Sequence, residues 1–133
     1  KNILGTQIVN QAIATFKMDS TVIFGEEQKT TPRDVGEFFR NLWQGNFLSK
    51  ESRDELLEFM TDTNFESWIV GGIPSDVRVS HKFGRELHVV NDAGIVFAQE
   101  PFILVILSKG VVEPEADTIF PELAKAVYEI ETR

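Results

Sequence analysis

Residues 80–110 read SHKFGRELHVVNDAGIVFAQEPFILVILSKG, and this stretch decides the fold. It ends in the most apolar run of the chain, Phe102–Leu107 (FILVIL), with β-branches at Ile103, Val105 and Ile106. Bounded by Pro101 and by Ser108-Lys109-Gly110, that run predicts a strand covered on both faces. Upstream, Val77, Val79, His81 and Phe83 alternate with Arg78, Ser80 and Lys82, which predicts a strand with one largely apolar and one polar face. Lys82 is expected to project with Ser80, away from His81. Gly84-Arg85-Glu86 reads as a turn into a second strand at about residues 87–98. The expected unit is a three-stranded antiparallel sheet with Lys82-Phe83-Gly84 at the end of its first strand.

On either side of this sheet the pattern is helical. Ile8, Val9, Ala12, Ile13 and Phe16 recur at helical spacing, predicting an amphipathic helix over residues 6–18 behind Gly5. Residues 21–24 read as a short extended piece. Thr31-Pro32-Arg33-Asp34 is a helix start, with Thr31 as the cap, Pro32 in the first position and Asp34 near the positive end. Val35, Phe38, Phe39, Leu42 and Trp43 then form one predicted buried stripe, and Gly45 is suited to a left-handed helix end. Ser49 is expected to cap the next helix, with Leu56, Leu57 and Met60 facing inward. Residues 65–70 read as one short helical turn stopped by Gly71-Gly72 and Pro74. A last helix is predicted over residues 117–131, with Ile119, Phe120, Leu123, Val127 and Ile130 on its inner face. The fold class is therefore α+β: amphipathic helices, a three-stranded antiparallel sheet, and a C-terminal helix lying on one sheet face.

The 133 residues suit a single domain over 1–133, large enough to bury its own core. A content of 42% hydrophobic and 26% charged residues is that of an ordinary globular chain. The net charge of −8, with no clustering of Lys and Arg, argues against a nucleic-acid surface. The lack of cysteine excludes a disulfide scaffold and any thiolate zinc site. No stretch approaches the roughly twenty apolar residues of a membrane span. No signal peptide is visible; the chain opens at Lys1 without Met, so a processed or truncated start is expected.

H-K-F-G at 81–84, N-D-A-G-I-V-F at 91–97 and P-F-I-L-V-I-L-S-K-G at 101–110 resemble the C-terminal part of class A β-lactamase-like, penicillin-binding-protein-like serine hydrolases. T-T-P-R-D-V at 30–35, L-W-Q-G-N-F-L-S-K-E-S-R at 42–53, L-L-E-F-M at 56–60 and G-I-P-S-D-V-R-V at 72–79 continue the resemblance in order. It implies β-lactam or D-alanyl peptide hydrolysis by an acyl-serine mechanism in the parent protein, in the cell envelope or outside the cell. It also places Lys82, Phe83 and Gly84 at the family's Lys-Thr/Ser-Gly triad, Lys82 as a catalytic-site residue and Phe83 and Gly84 as substrate-binding ones. Neither metal nor cofactor is implied.

Departures from the family pattern are equally specific. The family's nucleophile is a serine with a lysine one helical turn later, so that the amine can deprotonate the hydroxyl. None of Ser20, Ser49, Ser52, Ser67, Ser75, Ser80 and Ser108 has Lys three residues on. The Ser-Asp-Asn loop is absent as well, since Met18-Asp19-Ser20-Thr21 has the wrong order. In family terms the chain starts after that loop, and alone it is not expected to perform acyl transfer. Phe83 replaces a hydroxyl that, with the triad lysine, helps to bind the substrate carboxylate. Between Ile23 and Thr30 there is no room for a long loop delivering a deacylating glutamate, and Glu26 and Glu27 read as solvated charges in a turn.

Lys82 carries two readings: positive potential for an anionic substrate or oxyanion, or an exposed lysine that guards a strand edge against pairing. His81 and His88, with Asp92, suggest a metal site across the hairpin, although the histidine-like residue before the family's lysine has no metal. The charges of Glu113, Glu115 and Asp117 are expected to favour the start of the last helix. The run Phe102–Leu107 is expected at an open sheet edge, covered on one face through Ile119, Leu123 and Val127. Its expected partner is the missing N-terminal part of the same protein or a second copy. A degenerate homologue that binds without turnover is the other functional class left open.

Overall fold

The computed structural model describes residues 5–133. Helix α1 (Thr6–Thr15) is followed by α2 (Pro32–Gln44) and α3 (Lys50–Phe59). A single 3-10 turn at Val70–Gly72 leads into β1 (Val79–Glu86), β2 (Val89–Val96), β3 (Phe102–Leu107) and α4 (Glu113–Glu131). The sheet is an antiparallel meander in the order β1-β2-β3. Alternation along its strands assigns each side chain to one of two apolar layers. On one face Val79, Val90, Val96, Leu104 and Ile106 pack with Trp68, Ile69, Ile73 and the α4 residues Ala116, Phe120 and Ala124. On the other, Ala93 and Ile95 meet Phe39 and Leu42 of α2 and Leu57 and Met60 at α3. Helices thus cover both faces of the sheet, as the FILVIL run requires, and the α+β architecture is the expected one.

Helix boundaries follow from local chemistry. The Thr31 hydroxyl accepts the Asp34 N–H at 3.2 Å, Pro32 opens α2, and Gly45 closes it in the left-handed conformation at φ +69°. The Ser49 hydroxyl caps α3 in the same way. Helix α1 is shorter than its periodicity suggests, ending before Lys17, which has φ +58°. The piece at 21–24 contributes one bridge, Val22 to Lys29, with Glu26 and Glu27 exposed in the turn between them.

Four expectations need correction. Gly84-Arg85-Glu86 is strand, not turn: all three pair with β2, and the reversal falls on Leu87-His88 between the paired Glu86 and Val89. The positive φ that a tight hairpin requires is supplied by His88 (+59°), without the Asn-Gly or Asp-Gly signature that would mark it. Helix α4 starts at Glu113, since Pro114 in its first turn needs no N–H partner and the Glu115 carboxylate accepts the Val112 N–H at 3.2 Å. Its inner face is also rotated from the one read off residue size. Ala116, Phe120 and Ala124 are buried, whereas Ile119, Leu123 and Ile130 are exposed. Small alanines let α4 approach the 3-10 turn so closely that a Cβ on Gly72 would lie 2.1 Å from the Pro121 carbonyl oxygen. Trp43 likewise leaves its predicted stripe: it is 40% exposed, with its ring edge on Phe97.

Candidate functional site

The sequence motif at residues 81–84 lies where β1 passes from buried to exposed. Ser80 and His81 are buried, Lys82 is exposed, Phe83 is half-buried, and Gly84 onward is open. Among the described residues β1 pairs with no strand but β2, so its other side is a free edge. The His81 N–H points to that side, donating to the Met60 carbonyl at 2.7 Å. By the two-residue repeat, the backbone N–H and C=O of Phe83 face the open edge too. Lys82 leaves the strand on the α2/α3 face, as expected from its alternation with His81. Its ammonium curls back to the edge, donating to the Phe83 carbonyl and standing 4.6 Å from the Phe83 ring centroid.

Phe83 projects to the opposite face, against Phe65 (centroids 4.4 Å apart) and Trp68 (6.1 Å). Trp68 is fully buried, packs edge-on to Phe120, and its indole N–H donates to the Asp117 carboxylate at 2.8 Å. Phe83 therefore belongs to the aromatic layer beneath α4. Gly84 has no heavy atom near its missing Cβ and no positive φ, so neither crowding nor backbone strain demands a glycine there.

Behind Lys82 lies a buried polar cluster. The His81 Nδ1 is 2.8 Å from Asp92 Oδ1, and both side chains have no solvent exposure. The other Asp92 oxygen accepts the Ile69 N–H at 3.0 Å. The His81 Nε2 is 3.4 Å from Glu66 Oε1 and 3.4 Å from the Thr63 hydroxyl. Burial works against the charged imidazole, but the hydrogen bond and charge of Asp92, joined by those of Glu66, outweigh it and raise the His81 pKa above its ordinary value. On the other strand face the Ser80 hydroxyl donates to the Leu57 carbonyl and is 2.8 Å from the Thr61 hydroxyl. Residues 80 and 81 are thus tied to α3, to β2 and to the segment before the 3-10 turn.

Of the three residues suggested for a metal, the structure joins only His81 and Asp92; His88 lies in the hairpin loop, and among the described residues no group of three ligating side chains is placed to hold an ion. Glu66, Thr63 and Asp117 have no sequence signal as site residues. They lie outside the strand pattern, and only tertiary packing brings them to His81 and Trp68. No described helix is long and apolar enough to cross a membrane.

Arranged so, this edge presents a cation and free backbone groups, which suit an extended, anionic chain lying along β1. The model of a family described as the beta-lactamase enzyme family matches residues 2–130. Among solved structures, the chain is similar to PBP-A at 25% identity and a TM-score of 0.83, covering 96% of this chain and 52% of that one. A PBP-A variant, solved as an acyl-enzyme complex with penicillin G, matches at 26% identity and a TM-score of 0.82, with coverage of 96% and 52%. A β-lactamase from Sphaerobacter thermophilus, at 19% identity, shares the fold with a TM-score of 0.89 over 97% of this chain and 54% of its own. The chain spans about half the length of these structures.

Proposed function

Because the chain belongs to the beta-lactamase enzyme family, we propose that it is the C-terminal, cleft-lining part of an acyl-serine hydrolase acting on β-lactams or D-alanyl peptides. The observation that carries this reading is the Lys82 ammonium at the open edge of β1, beside the outward backbone of Phe83. A peptide-like substrate would extend along that edge, its carboxylate drawn to Lys82. The serine and its lysine base would come from a segment outside these 133 residues, because no serine here has Lys at the required spacing. In the parent reaction the serine oxygen adds to the amide carbon, its proton passes to the base and on to the leaving nitrogen, and the C–N bond breaks. Water then releases the acyl group. An envelope or extracellular location goes with that substrate class.

The completing segment would also meet two unsatisfied features of this chain. Among the described residues strand β3 is bonded on one side only, and α4 exposes Ile119, Leu123 and Ile130. A second reading, binding without turnover, is favoured by Phe83, whose phenyl group offers no hydrogen bond where the family has a hydroxyl.

Fluorescent penicillin followed by intact mass tests both readings. The 133-residue chain is expected to remain unmodified, whereas the longer protein that supplies Ser-x-x-Lys acquires one acyl group. An adduct on any serine of the short chain overturns the assignment of the nucleophile. A longer protein with Ser-x-x-Lys that stays unmodified leaves the binding reading standing.

A further inference from the structure

His81 is enclosed by two carboxylates from different parts of the chain, and neither is needed by the reading above. Asp92 comes from β2; Glu66 comes from the connection between α3 and the 3-10 turn. We propose that His81 is a positioning residue for the Lys82 end of β1, holding it in the doubly protonated form by bridging Asp92 and Glu66. The use made of that strand end rests on the proposed function; the bridge itself does not.

Donor counting supports the charged ring. A neutral imidazole has one N–H. Placed on Nδ1, that proton serves Asp92 at 2.8 Å and leaves a bare nitrogen facing the Glu66 oxygen at 3.4 Å. Placed on Nε2, it leaves a bare nitrogen against the buried Asp92 carboxylate. The Thr63 hydroxyl is poorly free to help, because its proton has nearer acceptors in Glu66 Oε1 at 2.6 Å and the Phe65 carbonyl at 2.9 Å. Only the imidazolium donates to both carboxylates.

The ring is also tightly seated. Gly94 stands opposite His81 in the β1–β2 register, and a Cβ there would lie 2.6 Å from the His81 Cβ and 2.5 Å from the Ser80 carbonyl oxygen. Asp92 is held by the Ile69 N–H, so its carboxylate does not swing away. Glu66 is partly exposed and is the member of the cluster that reaches solvent. The charged groups facing the ring are Asp92 from β2 and Glu66 from the connection. Asp117 of α4 is occupied by the Trp68 indole, and Lys82 leaves β1 on the other face. Loss of the ring proton would therefore release Glu66 first, and with it the segment from Thr63 to Trp68 that closes over the strand.

The sign follows from the raised pKa of His81. The stabilisation is fully present below the ordinary imidazole value and is lost as pH rises through the folded one. Nuclear magnetic resonance of the protein labelled at histidine nitrogen tests this without substrate. Both His81 nitrogens are expected to carry protons at neutral pH, with a midpoint above the ordinary imidazole value. The amides of Lys82, Phe83 and Glu66 are expected to titrate with that same midpoint. Glu66→Gln and Asp92→Asn should each shift the midpoint down, Glu66→Gln being the variant that leaves the buried pair intact. A singly protonated His81 at neutral pH, or amides at 82–83 that ignore its titration, overturns the proposal. Either result is independent of penicillin acylation, so it leaves the family reading untouched.

Discussion

Phe83 and Lys82 adjoin in sequence but serve opposite faces of β1, and the difference sets what each can do. The Phe83 ring lies on Phe65 and beside Trp68, while Lys82 wraps the free edge. Phe83→Thr would restore a hydroxyl next to Lys82 and remove a half-buried ring. Truncating such a ring should lower stability by about 1–2 kcal/mol. In the longer protein it should raise acylation by a carboxylate-bearing β-lactam about tenfold, the effect of one hydrogen bond to a charged group. Stopped-flow acylation and urea denaturation measure the two effects. An unchanged acylation rate would mean that the carboxylate is bound elsewhere. The position of Lys82 was legible in the sequence, because alternation alone separates it from His81. The pairing of His81 with Asp92 was legible only as proximity across a hairpin, and His88, which turns the chain, does not join them. Glu66 left no trace in any periodic pattern, since it acts from an irregular segment.

Among the elements, α2 was the most completely written in the sequence. Its Thr-Pro-x-Asp start and glycine end specify local bonds that do not depend on the rest of the fold. Beyond its role in the cap, Asp34 is buried and accepts from the Ser20 N–H at 2.8 Å and the Thr21 hydroxyl at 2.6 Å, so the same turn anchors the segment after α1. Thr31→Ala is expected to cost about 1 kcal/mol. It should lower the urea midpoint without changing the slope of the transition; a midpoint equal to the parent's would show that Asp34 alone fixes the helix start. The hairpin and α4 were less legible for opposite reasons. Gly84 invited a turn that pairing geometry gave to Leu87-His88. On α4, bulky Ile119 and Leu123 drew the predicted inner face away from Ala116 and Ala124, whose value is close approach rather than buried area.

For the whole molecule, the sheet order and its two covered faces could be read from the FILVIL run and the alternation of β1. Sequence reasoning also identified β3 as an edge, and the structure gives it no partner beyond β2 among the described residues. An apolar strand with open N–H and C=O groups favours pairing with another segment or another copy. Light scattering across a dilution series, with mass spectrometry for a companion polypeptide, is expected to find an oligomer or a complex. A stable monomer with no companion would show that this edge is tolerated in water. The meander has a further consequence, in time rather than in contacts. Leu87-His88 joins β1 to β2, and residues 97–101 join β2 to β3. Such near-neighbour pairing requires little loop closure, and hairpins of this kind form in about 1–10 μs. Sheet formation can therefore precede the arrival of any segment that completes it. On refolding from denaturant, a formed three-stranded template would come first, and the slow step would be the meeting of two parts rather than the folding of either.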